Sequence, residues 1–260
     1  MARAASPVAF VPLSVSVLRA PPGLHATVIA RIPSGARELA FAPNGDLFVG
    51  TNGDGIYVVP HADGAGAAGS GRQFARLADE PAAGLTFGAG ALYVGTQFSI
   101  YRIPYRIGDR SARSEREIAQ VRASGDHGDD NHRTTSLAFT RGVLYASIGS
   151  TCDACRESNP LRATIQQMKP DGTRMRAKAV RFRNAIALAA NPATVPMKGD
   201  APAIVDWNNP TTQWRPFVTG FQPGCSSSTR IGRPTGIAVG PQGDLFVGDD
   251  QTGYIYRIRP

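Results

Sequence analysis

Three short segments carry residue types from which a reactive site could be built. Asp126-His127-Gly128-Asp129-Asp130-Asn131-His132 runs directly into the largely apolar stretch from Thr135 to Phe139. An imidazole titrates near neutrality, so His132 at the mouth of a strand could act as a general base. The same crowd of Asp, His and Asn could hold a cation, but its spacing matches neither an EF-hand loop nor a zinc site. Arg181-Phe182-Arg183-Asn184 and Arg230-Ile231-Gly232-Arg233-Pro234-Thr235-Gly236 stand at corresponding places before two other apolar stretches. Guanidinium groups so placed would grip carboxylates or carbonyl oxygens with paired hydrogen bonds. Each segment also has a plain structural reading. His132 could bond a neighbouring backbone carbonyl, and Arg183 and Arg233 could pair with Asp249 or Asp250 at the strand ends. His25 and His61 have no such company and read as surface residues. Trp207 and Trp214 flank a polar turn and read as packing.

The elements that would position these residues are visible as an internal repeat. Leu39-Ala40-Phe41, then Pro43-Asn44-Gly45-Asp46, then Leu47-Phe48-Val49-Gly50 returns near the end of the chain as Ile237-Ala238-Val239, Pro241-Gln242-Gly243-Asp244, Leu245-Phe246-Val247-Gly248. Intermediate copies begin at Leu85 and Leu137, and a fainter one, Ala187-Leu188-Ala189, lacks its second strand. The period is roughly 50 residues, the length of a four-stranded unit rather than of a β-solenoid coil. Asn44-Gly45 supplies the positive φ that a tight hairpin needs. Short, nearly continuous apolar strands suit sheets packed on both faces, and radial repetition protects their edges. The sequence therefore predicts an all-β propeller with five countable repeats, running from residue 18 to residue 260. Residues 1–17 read as a leader remnant or an outer strand. The fourth unit would need Ile204-Val205-Asp206-Trp207 and Phe217-Val218-Thr219 as its outer strands. Should they fail, an open ring with apolar flanks would self-associate.

Composition narrows the classes. Hydrophobic residues make up 42% and charged residues 18%, which supplies a core and excludes global disorder. The net charge of +8 comes from dispersed arginines with no aromatic ladder beside them, so a nucleic-acid partner is not expected. The apolar stretch Ala4 to Leu18 is too short to span a membrane, and its prolines and serines make it a poor signal peptide. Cys152-Asp153-Ala154-Cys155 is a lone CxxC with no zinc partner set and no βαβ context. It reads as a small loop disulfide, which fits an exported protein and leaves Cys225 without a partner.

Taken together, several segments resemble the soluble quinoprotein glucose/sorbosone dehydrogenases. They are Leu18 to Gly23, His132-Arg133-Thr134-Thr135-Ser136-Leu137-Ala138-Phe139, Ile148-Gly149-Ser150-Thr151-Cys152-Asp153-Ala154-Cys155 (similar to the sorbosone branch), Phe182-Arg183-Asn184-Ala185-Ile186, and Gly232-Arg233-Pro234-Thr235-Gly236-Ile237-Ala238-Val239. The resemblance implies a six-bladed propeller holding pyrroloquinoline quinone (PQQ) and calcium in its central channel, a sugar or sorbosone-like substrate, and a periplasmic or secreted location. It implies His132 as the base that takes the hydroxyl proton as hydride passes to the quinone. Arg183 would polarise the quinone carbonyls, with Asn184 beside it on the cofactor, and Arg233 would hold a cofactor carboxylate. The chain departs from that pattern after Asn191-Pro192-Ala193-Thr194, passing at once to Val195-Pro196-Met197-Lys198-Gly199-Asp200. About 100 residues, roughly two blades by the repeat period, are absent there relative to the family, and the calcium-ligating acids go with them. The metal ligands are therefore unassigned, and the expected activity is that of an impaired dehydrogenase. The alternative is a non-catalytic propeller whose channel binds a small anion or a protein partner.

Overall fold

The computed structural model describes residues 18–64, 71–121, 132–153, 155–188, 218–221 and 231–260. Every regular element among them is a strand. β1 (His25–Arg31) is followed by a first group, β2 (Leu39–Phe41), β3 (Leu47–Val49), β4 (Gly55–Val59) and β5 (Arg72–Arg76). The second group is β6 (Gly84–Gly88), β7 (Ala91–Gly95), β8 (Ser99–Pro104) and β9 (Arg116–Gln120). The third is β10 (Leu137–Thr140), β11 (Val143–Ile148), β12 (Thr164–Met168) and β13 (Arg176–Val180), and the chain ends with β14 (Pro234–Val239), β15 (Leu245–Asp249) and β16 (Tyr254–Arg259). Each of the first three groups is an antiparallel four-stranded sheet in sequence order, and the fourth sheet has the order β1-β16-β15-β14. The inner strands lie side by side in the order β14, β2, β6, β10. This is a β-propeller.

Four blades are described, where the sequence reading counted five repeats. Ala187 and Leu188 carry no strand, and the rest of that repeat, with Ile204 to Trp207, lies outside the described residues. Val218 and Thr219 do not serve the fourth repeat. Thr219 bridges Arg19, and Val218 packs with Leu18 and Phe221 against the last blade. The outer strand of that blade is β1, paired from His25↔Arg259 to Arg31↔Tyr254. Whether residues 1–17 form a leader or a strand falls outside the described residues.

The hairpin β2–β3 turns through Gly45 at φ 80°, and its copy β14–β15 turns through Gly243 at φ 92°. The aspartate after each glycine does more than finish the turn. Asp46 is fully buried, accepts from the His61 amide at 2.9 Å, and takes Arg110 from the second blade's outer loop. Asp244 accepts from Arg257 Nε at 2.6 Å, while Arg257 Nη1 reaches the Gly64 carbonyl of the first blade at 2.6 Å. The repeated Asp is thus a tie between neighbouring sheets. Aromatic rings fill the rest of these interfaces. Phe41 meets Phe246 edge-on at 4.8 Å, Phe48 meets Phe87 at 5.1 Å, and Tyr93 stacks on Phe139 at 5.7 Å. Near the axis the inner strands come too close for side chains. A Cβ on Gly84 would stand 1.9 Å from the Thr135 carbonyl oxygen, and one on Gly236 would stand 1.8 Å from that of Arg37.

Candidate functional site

The residues just ahead of the inner strands converge at one end of the axis. Arg37, Asn52, Pro81, His132, Arg133, Thr134 and Asn184 line a cavity of about 420 Å³ there, within the usual range for small-molecule sites. Of the residues singled out from sequence, His132 and Asn184 are in this lining. Arg183 and Arg233 are not.

His132 precedes β10 with φ at 60°, and its side chain is 7% exposed. Nδ1 lies 3.0 Å from the Ser150 carbonyl oxygen and 3.1 Å from Ser150 Oγ. Nε2 lies 3.8 Å from Asp153 Oδ1. The backbone-carbonyl partner foreseen for His132 is therefore present, and it does not remove the residue from the cavity. Asn184 places its buried Oδ1 without a hydrogen-bond partner among the described residues, and a Cβ on Gly149 would lie 3.3 Å from it. An orphaned amide oxygen at a cavity wall is an acceptor waiting for a donor. Arg183 instead donates to Asp153 Oδ1 through Nη2 at 2.6 Å and Nε at 3.2 Å, in an exposed pair. The guanidinium beside it holds the Asp153 carboxyl below its ordinary range.

Arg233 pairs through Nε with Asp250, a carboxylate 1% exposed. The other oxygen of Asp250 takes Arg37 Nη1 at 3.3 Å. Arg37 also donates to Asn52 Oδ1 at 2.9 Å and to Thr134 Oγ1 at 2.7 Å, so it crosses from the first blade to the third. Sequence reasoning missed Arg37. Inspecting residues ahead of each inner strand, the rule that found His132 and Arg233, would have found it had it been applied to the first repeat. Arg133 completes the cationic lining and donates to Gln97 Oε1 at 2.8 Å.

Below these residues sits Glu38, which immediately precedes β2. Ser136 Oγ donates to one carboxylate oxygen, and the Leu85 amide donates to the other at 3.3 Å. The residue as a whole is half-buried, but the carboxyl is enclosed by three inner strands. Burial pushes it up to about 8, against the smaller opposing effects of Ser136, the Leu85 amide and Arg37.

The disulfide read from the CxxC is present, Cys152–Cys155, and Asp153 lies within its loop. Cys152, Cys155 and Glu157 are the only group of potential metal ligands gathered closely among the described residues, and both sulfurs are committed to the bridge. A polyanionic, planar cofactor fits this lining, with Arg37 and Arg133 as counter-charges and the orphaned Asn184 Oδ1 as an acceptor. Calcium fits less well. Asp250 is shared by two guanidinium groups and the Glu38 carboxyl is raised well above its ordinary range, so no free anionic oxygen set faces the cavity among the described residues. Also among the described residues, no helix is long and apolar enough to cross a membrane.

The sequence matches no family profile and no curated protein. Solved structures do match the fold. The PQQ domain of a pyranose dehydrogenase from Coprinopsis cinerea aligns over 94% of this chain and 97% of its own, at 12% identity and a TM-score of 0.73. A carbohydrate-active enzyme of family AA12 from Trichoderma reesei, in a calcium structure, aligns over 93% and 96% at 13% identity, with a TM-score of 0.63. The soluble aldose sugar dehydrogenase of Escherichia coli, in its apo-form, aligns over 91% and 99% at 13% identity, with a TM-score of 0.59. The resemblance read from the sequence therefore holds in the fold: this chain shares its β-propeller with PQQ-domain and soluble sugar dehydrogenases.

Proposed function

We propose that the axial cavity takes PQQ, or an anion of similar shape, and that the chain oxidises a sugar hydroxyl or a sorbosone-like carbonyl sugar beside His132. The observation that carries this reading is the buried imidazole standing in one cavity with Arg37, Arg133 and Asn184. PQQ, when bound, would supply the two-electron acceptor. The chain's own residues would do the rest. Arg37 and Arg133 would neutralise carboxylates, Asn184 would accept a hydrogen bond, and His132 would receive the substrate's proton at Nε2, 3.8 Å from the Asp153 carboxylate that would stabilise the resulting cation. Arg183 and Arg233 keep the cofactor-binding roles proposed for them only if they leave Asp153 and Asp250, and reorganising those pairs would weaken binding. If the acids missing relative to the family leave the chain without a calcium ion as Lewis acid, the activity is expected to be low.

Those two occupied arginines also favour a second reading, a non-catalytic propeller whose channel holds a small anion or a protein partner. The disulfide and the resemblance support a periplasmic or secreted location. Residues 18–260 are proposed to form a single propeller domain, with no nucleic-acid partner.

Calorimetric titration with PQQ, with and without calcium, beside dye reduction on aldoses and sorbosone, separates the readings. The dehydrogenase reading expects micromolar or tighter binding, with turnover reduced at least about 100-fold in His132→Ala, the size of a general-base contribution. A folded protein that binds neither PQQ nor calcium and reduces no dye would leave the anion-binding propeller.

A further inference from the structure

Most of the chain's arginines are dispersed, but the segment from Gly172 to Leu188 carries Arg174, Arg176, Lys178, Arg181 and Arg183 and no acidic residue. β13 lies within it, so these charges gather along the outer strand of the third blade and its two ends. Arg183 is tied to Asp153 at the cavity end. The other four are exposed and form no ion pair among the described residues. The outer strands of the first two blades are different. Arg76 of β5 donates to Asp54 at 2.6 Å, and β9 carries Glu117 beside Arg116. Those strands are sheet edges too. Guarding an edge against unwanted pairing calls for charge, but not for charge of one sign.

A second observation sets β13 apart. Each of these three outer strands holds one extra residue bulged from the ladder, and the three are Phe74, Ile118 and Lys178. Phe74 is 3% exposed and lies in the interface with the second blade, and Ile118 packs into the interface with the third. The third blade places an exposed lysine at the same point. Burying that ammonium beneath an apolar sheet would be costly. This corner is therefore built to meet water or an anionic surface, where its counterparts are built to meet the next blade.

β13 is also the last strand of its sheet among the described residues, so one side of its backbone offers N–H and C=O groups with no ladder partner there. We propose that this edge is a docking strip for an acidic segment of a partner protein, which adds to the third blade as a further strand. An extended acidic chain brings carboxylates beside Arg174, Arg176, Lys178 and Arg181 while its backbone completes the ladder. Main-chain hydrogen bonds then supply affinity, and the charges choose the partner. A nucleic acid would gain the charges alone, because β13 has no aromatic residue on which bases could stack. The proposal does not depend on what the axial cavity holds.

The test uses a fluorescent oligoglutamate of about 12 residues, long enough to span β13, read by anisotropy at low ionic strength. The native protein is expected to bind it. Arg176→Ser/Lys178→Ser/Arg181→Ser should weaken binding at least about 10-fold, whereas Arg72→Ser/Arg106→Ser/Arg116→Ser, which removes the same charge from the first two blades, should change it less than about 2-fold. Amide hydrogen exchange of the native protein with the probe bound is expected to slow in Arg176–Val180, a response that charge attraction without strand pairing would not give. No binding, an equal loss in the two triple variants, or exchange left unchanged in β13 overturns the proposal. Tighter binding of an oligothymidylate of equal charge also overturns it, making the edge a nucleic-acid surface. None of these measurements needs PQQ, so the outcome is separate from that of the dehydrogenase reading.

Discussion

Asp250 holds Arg37 and Arg233 on its two oxygens while almost wholly buried, and the cavity lining depends on it. Asp250→Asn removes the charge but keeps the shape, leaving two guanidinium groups without their anion. Arg233 is half in solvent and can find water, whereas Arg37 is mostly enclosed. The expected cost is about 3 kcal/mol, toward the lower end for breaking a buried pair, measured by urea unfolding. A loss below about 1 kcal/mol would show that the pair is solvated and the lining unsupported. Glu38 makes the opposite kind of prediction. Its folded-state carboxyl, raised to about 8 from an ordinary 4.5, keeps a proton that the unfolded chain releases. This contribution to stability is fully present below about pH 4.5 and fades as pH rises through 8. Glu38→Gln, which cannot ionise, should gain in unfolding midpoint relative to the native protein between pH 5 and 9. A pH-independent gap would place the Glu38 carboxyl in water. The sequence made His132 and Asn184 legible because their repeat positions are unusual in residue type. Asp250 was legible as a strand-end partner for Arg233, but its hold on Arg37 was not, because an Arg-Glu pair looks like ordinary strand-end charge until the fold brings Arg37 and Asp250 together.

At the scale of the element, the inner strands trade side chains for closeness. Gly236 is where β14 passes β2, and an added Cβ would lie 1.8 Å from the Arg37 carbonyl. A flexible neighbour could move, but backbone oxygen held in a sheet cannot, so Gly236→Ala should shift β14 outward and disturb the Arg37 and Arg233 ends together. Loss of the cooperative thermal transition, or a fall in midpoint of several degrees, is expected. An unchanged melting curve would mean that the strands slide freely. The repeat itself was legible in sequence because Leu-x-Phe, Pro-x-Gly-Asp and Leu-Phe-Val-Gly fix strand, turn and strand within a dozen residues. The role of β1 was not. His25–Arg31 reads as any half-buried strand, and its partner stands more than 200 positions away, beyond the reach of local pattern.

For the whole molecule, the open question is the flank of the last blade. Ile237 and Val239 project from β14 with 64% and 65% of their surface exposed. The counterparts of Ile237, Leu39 and Leu137, are buried in neighbouring interfaces, and those of Val239, Phe41 and Phe139, are half-buried there. The self-association expected from the repeat pattern then predicts a concentration-dependent dimer in sedimentation velocity. Ile237→Ser/Val239→Ser should weaken it at least 10-fold, since two exposed branched side chains can bury about 3 kcal/mol or more. A strictly monomeric native protein at high concentration would mean that the flank is tolerated in water.

The pairing of β1 with β16 also sets a timetable for synthesis. His25–Arg31 is made early, but the strand it joins, Tyr254–Arg259, is made more than 200 residues later. At a translation rate of about 5–20 residues per second, that interval is roughly 10–50 s. During all of it the nascent β1 has hydrogen-bonding groups with no mate. The other blades are sequence-local and can assemble as they emerge. The ribosome must deliver β16 before the last blade can gain β1 as its outer strand, so a pause late in translation prolongs the time during which β1 can be captured by another nascent chain.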